Sequence, residues 1–272
     1  MNAVTLRVEL LKHTPDIQET VSFAAKLCYS GAELSELKEG IESKDQSVFI
    51  QKLMDMGHQS PVEHVSFTFG VEGVSRSLLA QITRHRLASF SVQSQRYVSL
   101  SGENAFRYII PPRIQALGGD AVAAFCAQMA TMQGWYDEWC ALLGDAGEKS
   151  NEDARFVLPN ACETKMILTM NARELMHFFG LRCCMRAQWE IRALAWHMLA
   201  LCIHRAPALF ASAGPACASG AGCTEGPKSC KQSARVKKLA ECIRGLATEP
   251  NMDDDRLKAG VEEALQRWEN KA

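Results

Sequence analysis

Residues 65–86 read VSFTFGVEGVSRSLLAQITRHR, and the period of the chain changes inside this stretch. Val65, Phe67, Phe69 and Val71 alternate with small or polar residues, the pattern of a strand with one buried face. From Ser75 the alternation stops. SRSLLAQITRHR then reads as a helix that delivers Arg84, His85 and Arg86 at its C-terminal end. Upstream, a strand is predicted over Val4 to Leu11. Thr14 then acts as N-cap, with Pro15 at the first helical position, for a helix to about Tyr29. A second helical region stops at Gly57.

Downstream, Ser89 to Leu100 reads as a loop or extended segment. A long helix fits Gly119 to Leu143, and a short one fits Asn151 to Leu158, ended by Pro159. Glu163 to Met170 reads as a strand. Asn171 can cap a helix to about Leu181, and residues 187–206 read as a long buried helix. Gly214 to Cys230 is rich in Gly, Cys and Ser and reads as a loop. Two amphipathic helices fit 233–247 and 252–269. Strands and helices intermix without a regular strand–helix alternation, so the expected class is α+β, with a mixed sheet and long helices.

Composition narrows the function. The 272 residues are 47% hydrophobic and 22% charged, with 30 basic against 31 acidic residues. That balance argues against disorder and against a general nucleic-acid binder. Aromatic residues make up 7%, which leaves few platforms for stacking RNA bases. The N-terminus lacks the apolar run of a secretory signal. The most apolar stretch, Ala193 to Ala213, is interrupted by His197, His204, Arg205 and Pro207, which excludes a membrane span there. Eleven cysteines without an export signal predict reduced thiols and a cytoplasmic protein.

Against this neutral background, residues 84–97 concentrate Arg84, His85, Arg86 and Arg96 with Ser89, Ser91, Gln93, Ser94 and Gln95, and contain no acid. Arginine forks suit phosphates and carbonyl-rich rings. Gln81 and Arg84 share a helix face, and Ser94 and Arg96 point the same way on an extended segment. The alternative is a solvated basic helix end complementing the helix dipole. His58, Glu63 and His64 match no common zinc spacing, so a capped turn at Ser60-Pro61 competes with a metal site. Arg173 and His177 are spaced i,i+4 on one face. Arg182 sits among Leu181, Cys183 and Cys184, either as an electrophilic handle or as a buried ion pair, for example with Glu190. Cys217, Cys223 and Cys230 lack a C-x-x-C knuckle; free thiols compete with a zinc site completed by Cys183, Cys184 or Cys202. No metal ligand is assigned. His197 and His204 read as satisfied core or interface histidines.

Taken in order, these motifs resemble the flavin-dependent thymidylate synthases. Arg84-His85-Arg86, seven residues, then Ser94 and Arg96-Tyr97 match the family signature. His58, Ser60, Pro61, Glu63 and His64 match an upstream element. Ala154, Arg155, Leu158 and Pro159 match a later one, and Asn171, Arg173, Leu181, Arg182, Ala187, Gln188, Trp189 and Glu190 match a fourth. The resemblance spans about Val4 to Phe210. It implies a catalytic domain over 1–232 with a helical extension over 233–272, in a homotetramer whose active sites are shared between subunits. FAD contacts are implied at His58, Ser60, Glu63, Arg84, His85, Arg86, Asn171, Arg173 and His177. Contacts to dUMP are implied at Gln81, Arg84, Ser94, Arg96, Arg155 and Arg182. Val92 stands where many members carry an acid or Gln, and His177 where some carry Asn.

The reaction implied is methylation of dUMP at C5 to dTMP, with carbon from methylenetetrahydrofolate and electrons from NADPH through FAD. Uracil C5 is a weak nucleophile, so a fixed guanidinium at the ring edge assists by stabilising the anion that develops. Arg182 is the expected catalytic residue. Ser94 is implied to bind phosphate and not to act as a nucleophile. The alternatives are a flavin- or nucleotide-binding sensor without turnover and, more remotely, an RNA-binding protein.

Overall fold

The computed structural model describes residues 2–269. Its elements, in chain order, are β1 (Arg7–His13), α1 (Ile17–Leu27), α2 (Leu34–Glu42), α3 (Ser47–Asp55), β2 (Ser66–Ser75), α4 (Arg76–Ile82) and β3 (Ala88–Val92). They continue with α5 (Pro112–Gln115), α6 (Gly119–Leu142), α7 (Glu148–Ala154), β4 (Glu163–Asn171), α8 (Ala172–Arg182), α9 (Trp189–Arg205), α10 (Pro207–Phe210), α11 (Ser233–Ala247) and α12 (Asp254–Glu269). Single 3-10 turns cover Pro61–His64 and Arg155–Val157. The strands pair in the order β1-β2-β4-β3. The class is α+β as expected. The sheet is antiparallel where a mixed one was expected; among the described residues, parallel pairing is confined to an isolated bridge between Ala3 and Tyr108.

The chain divides into two compact units, one comprising residues up to Glu9 with Gly70–Arg84 and Phe90–Leu168, the other Leu10–Phe69, His85–Ser89 and Thr169 onward. In the first unit, Phe106, Tyr108, Ile110, Met129 and Cys162 form a core under the long helix α6, with Val122 and Phe125 packed on it. A second cluster of Tyr136, Cys140 and Ala154 joins α6 to α7. Gly73 allows a close backbone approach here. Its φ is +69°, and a Cβ would sit 1.8 Å from the carbonyl oxygen of Thr5, so only glycine fits.

In the second unit, α9 buries 13 of its 17 residues, a helix apolar on nearly every side because α8, α10, α11 and α12 all pack on it. His197 meets Glu262 of α12 at 3.3 Å, and His204 bonds the carbonyl of Ala247 at 3.0 Å, so both are satisfied packing histidines as anticipated. Phe67, Phe179 and Phe210 stack edge to face.

The helix expected over Asn151 to Leu158 is instead α7, Glu148–Ala154, followed by a 3-10 turn. Two further boundaries differ from expectation because distant backbone claims the residues concerned. β1 begins at Arg7 because Val4 is already used, its N–H donating to Tyr108 at 3.0 Å. Thr14 does not cap α1. Its N–H and hydroxyl both pair with Ser66 of β2, and the helix starts at Ile17 after Asp16 turns through a left-handed φ of 47°. The open reading of Ser89 to Leu100 resolves into a strand through Val92, followed by a turn.

Candidate functional site

In the second unit the site is built on α8. Asn171 caps this helix, its Oδ1 accepting the N–H of Glu174 at 2.9 Å. An N-x-x-E pattern normally reads as a capping box, with the glutamate returning to the cap. Here the Glu174 carboxylate turns inward instead and meets His85 Nδ1 at 3.0 Å. Arg182, at the far end of α8, donates through Nε to His85 Nε2 at 3.1 Å.

The two partners fix the imidazole. Nε2 accepts from a guanidinium, so the ring is neutral and its proton lies on Nδ1, where Glu174 accepts it. Burial is the largest effect on His85 and lowers its proton affinity below that of ordinary histidine. The hydrogen bond His85 donates to Glu174 opposes this, and the charge of Arg182 adds to it. Phe178 packs edge-on against the ring at 4.9 Å, and His177 lies at 6.1 Å. The result is a carboxylate and a guanidinium joined through a neutral ring, with His85 and Glu174 both buried. Nearby on the same helix, exposed Arg173 pairs with Glu63 of the 3-10 turn.

In the first unit a turn at Ser94 to Tyr97 carries the arginine cluster. Ser94 Oγ accepts the N–H groups of Arg96 and Tyr97 at 3.2 and 3.3 Å. Arg96 pairs with Glu148 and, at 3.3 Å, with Glu152. These two acids lie i,i+4 on α7 and so share a face. Arg155 joins the same place by donating to the carbonyl of Glu152 at 3.0 Å. Asn151 anchors the turn, donating to the Arg96 carbonyl at 3.1 Å and accepting from the Tyr136 hydroxyl at 3.1 Å. Gln81 lies in the last turn of α4 and Arg84 just beyond it, with Arg84 exposed.

The structure thus gathers Ser94, Arg96 and Arg155 in one unit, and His85, His177 and Arg182 in the other, with Glu63 and Arg173 paired there. Ser60 and Arg86 are exposed. His58 does not join the His85 cluster; it lines an open cavity of about 530 Å³ with Lys26, Tyr29, Phe49 and Met56. Asn171 uses one lone pair of its carbonyl oxygen to cap α8, which fixes the direction of its amide group. Sequence reasoning missed Glu174, Glu148 and Glu152. The spacing of the last two was readable; Glu174 was masked by its resemblance to a capping acid.

All eleven cysteines are free thiols. Burial pushes Cys183 and Cys202 well above the ordinary thiol range, so they stay protonated and un-nucleophilic. Among the described residues, no group of three or more His, Cys, Asp or Glu side chains is placed to hold a metal ion, and no helix is long and apolar enough to cross a membrane.

An α+β fold that carries a half-buried, imidazole-held guanidinium and a separate serine–arginine turn defines a protein for anionic, ring-bearing ligands of the nucleotide kind. Comparison with known proteins gives the family. Residues 9–208 match the family model described as thymidylate synthase complementing protein. The flavin-dependent thymidylate synthase of Geobacter sulfurreducens is 50% identical over 234 residues, covering 86% of this chain and 97% of the relative. That of Clostridium tetani is 47% identical over 245 residues, covering 86% and 96%. That of Pyrococcus furiosus is 38% identical over 255 residues, covering 87% and 98%. The chain belongs to the flavin-dependent thymidylate synthase family.

Proposed function

We propose that this protein methylates dUMP at C5 to give dTMP, taking carbon from methylenetetrahydrofolate and electrons from NADPH by way of FAD. Family membership supports the reaction. The observation that carries the site assignment is Arg182, half-buried and fixed through Nε by a neutral histidine. A guanidinium held in a partly dry place acts strongly on charge developing at a uracil ring edge. Arg182 is the catalytic residue in this reading, drawing negative charge toward the carbonyl oxygens as C5 becomes nucleophilic.

Ser94, Arg96 and Arg155 hold the dUMP phosphate, with Gln81 and Arg84 completing the nucleotide contacts. The clustering of the first three around α7 supports this assignment. Arg96 exchanges its carboxylate partners for phosphate when the nucleotide binds. The donor set also fits FAD: Arg84, Arg86 and Arg173 are exposed cations suited to a diphosphate, His58, Ser60, Asn171 and His177 carry donors suited to a carbonyl-rich ring, and Glu63 can accept from a ring N–H. His85, whose two ring nitrogens are engaged by Glu174 and Arg182, would meet the flavin by packing. When bound, FAD supplies the hydride chemistry that no side chain can. The protein orients the pyrimidine and keeps water from it, and orientation alone lowers a barrier by several kcal/mol.

Assembly as a homotetramer with shared active sites belongs to the same proposal. Large apolar side chains stand exposed beside site arginines: Leu87 is 71% and Phe156 83% exposed, and Tyr97 and Leu181 are exposed too. Such residues favour cover by a second subunit. A cytoplasmic location, a catalytic part over 1–232 and an added helical part over 233–272 complete the reading. The helices α11 and α12 lie beyond the family-model match and pack on α9.

The test combines an absorbance spectrum with turnover. The purified protein should show flavin bands and release tritium from C5-labelled dUMP in the presence of methylenetetrahydrofolate and NADPH. Flavin bands with no release would identify a binding sensor instead, and absence of flavin would defeat both readings.

A further inference from the structure

We propose that Glu174 is a positioning residue for the reaction, acting through His85 to set the orientation of the Arg182 guanidinium. The inference rests on the functional reading above and deepens it by adding a buried residue outside the implied nucleotide and flavin contacts.

The argument starts from burial. Glu174 is 7% exposed and His85 5% exposed. An ionised carboxylate at that depth is costly unless something requires it there. Its oxygen lies 3.0 Å from His85 Nδ1. A neutral imidazole has one proton to place. With Glu174 accepting at Nδ1, the lone pair is left on Nε2, and that lone pair faces Arg182 Nε at 3.1 Å. The opposite tautomer would set an N–H of His85 against an N–H of Arg182. Glu174 therefore decides whether the ring attracts or repels the guanidinium. A bond at Nε also fixes the plane of the guanidinium, because Nε lies in it. The plane matters since stabilising a developing oxyanion requires donors aimed where the charge appears. The edge-on ring of Phe178 at 4.9 Å restricts His85 from swinging away.

Protonation of His85 would break the same arrangement, since both nitrogens would then donate. The groups facing His85 are Glu174, His177 and Arg182, all on α8. On the 3-10 turn packed against α8, Glu63 is engaged by Arg173. Removing the Glu174 carboxylate takes away the largest influence favouring imidazolium. A Glu174→Gln protein should thus keep a neutral ring to lower pH than wild type.

The experiment compares wild type, Glu174→Leu and Glu174→Gln, each purified with its flavin. Flavin content, kcat, KM for dUMP, the acid limb of the pH profile and the 15N shifts of the histidine ring nitrogens are measured. For Glu174→Leu, kcat should fall about 10²-fold, the scale set by misplacing a catalytic group by about 1 Å. KM for dUMP and flavin content should stay near wild type, and the His85 signals should leave the Nδ1–H pattern. Glu174→Gln can still accept the Nδ1 proton through its carbonyl oxygen. It should recover most of kcat, with its acid limb moved to lower pH.

Wild-type kcat in Glu174→Leu would overturn the proposal. So would equal loss of kcat, flavin and thermal stability in both variants, which would mark a purely structural residue. If Glu174→Leu does not fold, the glutamine variant decides: an inert but folded, flavin-loaded protein with Nδ1–H intact refutes the coupling. A wild-type protein that makes no dTMP would end the functional reading separately, and the ring-nitrogen shifts would still judge the link from Glu174 to His85.

Discussion

Substituting Asn151 by Leu should weaken both the fold and the nucleotide site, and the size of the effect follows from its bonds. Asn151 is 4% exposed and joins three elements. Its amide donates to the Arg96 carbonyl at 3.1 Å, and its carbonyl accepts from the Tyr136 hydroxyl at 3.1 Å. Leucine fills similar space and satisfies neither. The buried Tyr136 proton then loses its acceptor, at a cost of about 1–3 kcal/mol, and the part-buried Arg96 carbonyl adds about 1 kcal/mol. A sum of about 2–4 kcal/mol corresponds to a fall in Tm of about 5–15 °C for a chain of this size. The turn that presents Arg96 loses its anchor as well, so dUMP should bind about tenfold more weakly, equivalent to about 1.4 kcal/mol. Differential scanning calorimetry and titration calorimetry with dUMP read the two effects. Tyr136→Phe supplies the control. Its hydroxyl also accepts from Leu100 N–H at 3.3 Å, so the cycle of single and double variants should show a coupling of about 0.5–3 kcal/mol. An Asn151→Leu protein that melts within about 1 °C of wild type, or strict additivity with Tyr136→Phe, would refute this account.

Arg182→Ala should abolish most dTMP formation while the protein stays yellow; loss of flavin in this variant would contradict the assignment of Arg182 to the pyrimidine. Arg86→Ala should reduce flavin retention through purification, measured as the ratio of flavin to protein absorbance, and a variant as yellow as wild type would count against a flavin contact there. The bond between His197 and Glu262 predicts an acid-sensitive dock of α12 on α9. The hydrogen bond from His197 is the largest effect on the Glu262 carboxyl and holds it below its ordinary value of 4.5. Its contribution to stability is therefore present above that value and lost as pH falls through the lower folded-state value. Urea melts from pH 6 down to pH 3 should show wild type losing more stability than His197→Phe, and parallel curves would exclude the effect.

How much was legible in the chain varies with how local the cause is. The strand at β2 was readable because Phe67, Phe69 and Val71 alternate and all three are buried. The helix at α8 was readable because Asn171 supplies its cap. The buried helix α9 was readable because apolar residues run round most of its circumference. The start of α1 was not, since a distant strand claims Thr14 before it can cap. The same holds for Glu174, whose position predicts a local capping bond and whose actual partner is 89 residues away.

The amino-acid order by itself determined most of the element types and the α+β class. Those follow from periodicity, capping and side-chain chemistry, which act over a few residues. Tertiary structure alone decided which groups meet: that His85 is a neutral bridge between Glu174 and Arg182, that Arg96 rests on two carboxylates of α7, and that His58 faces a separate cavity. Such pairings depend on where the backbone returns after tens of residues, and burial then makes each hydrogen bond obligatory.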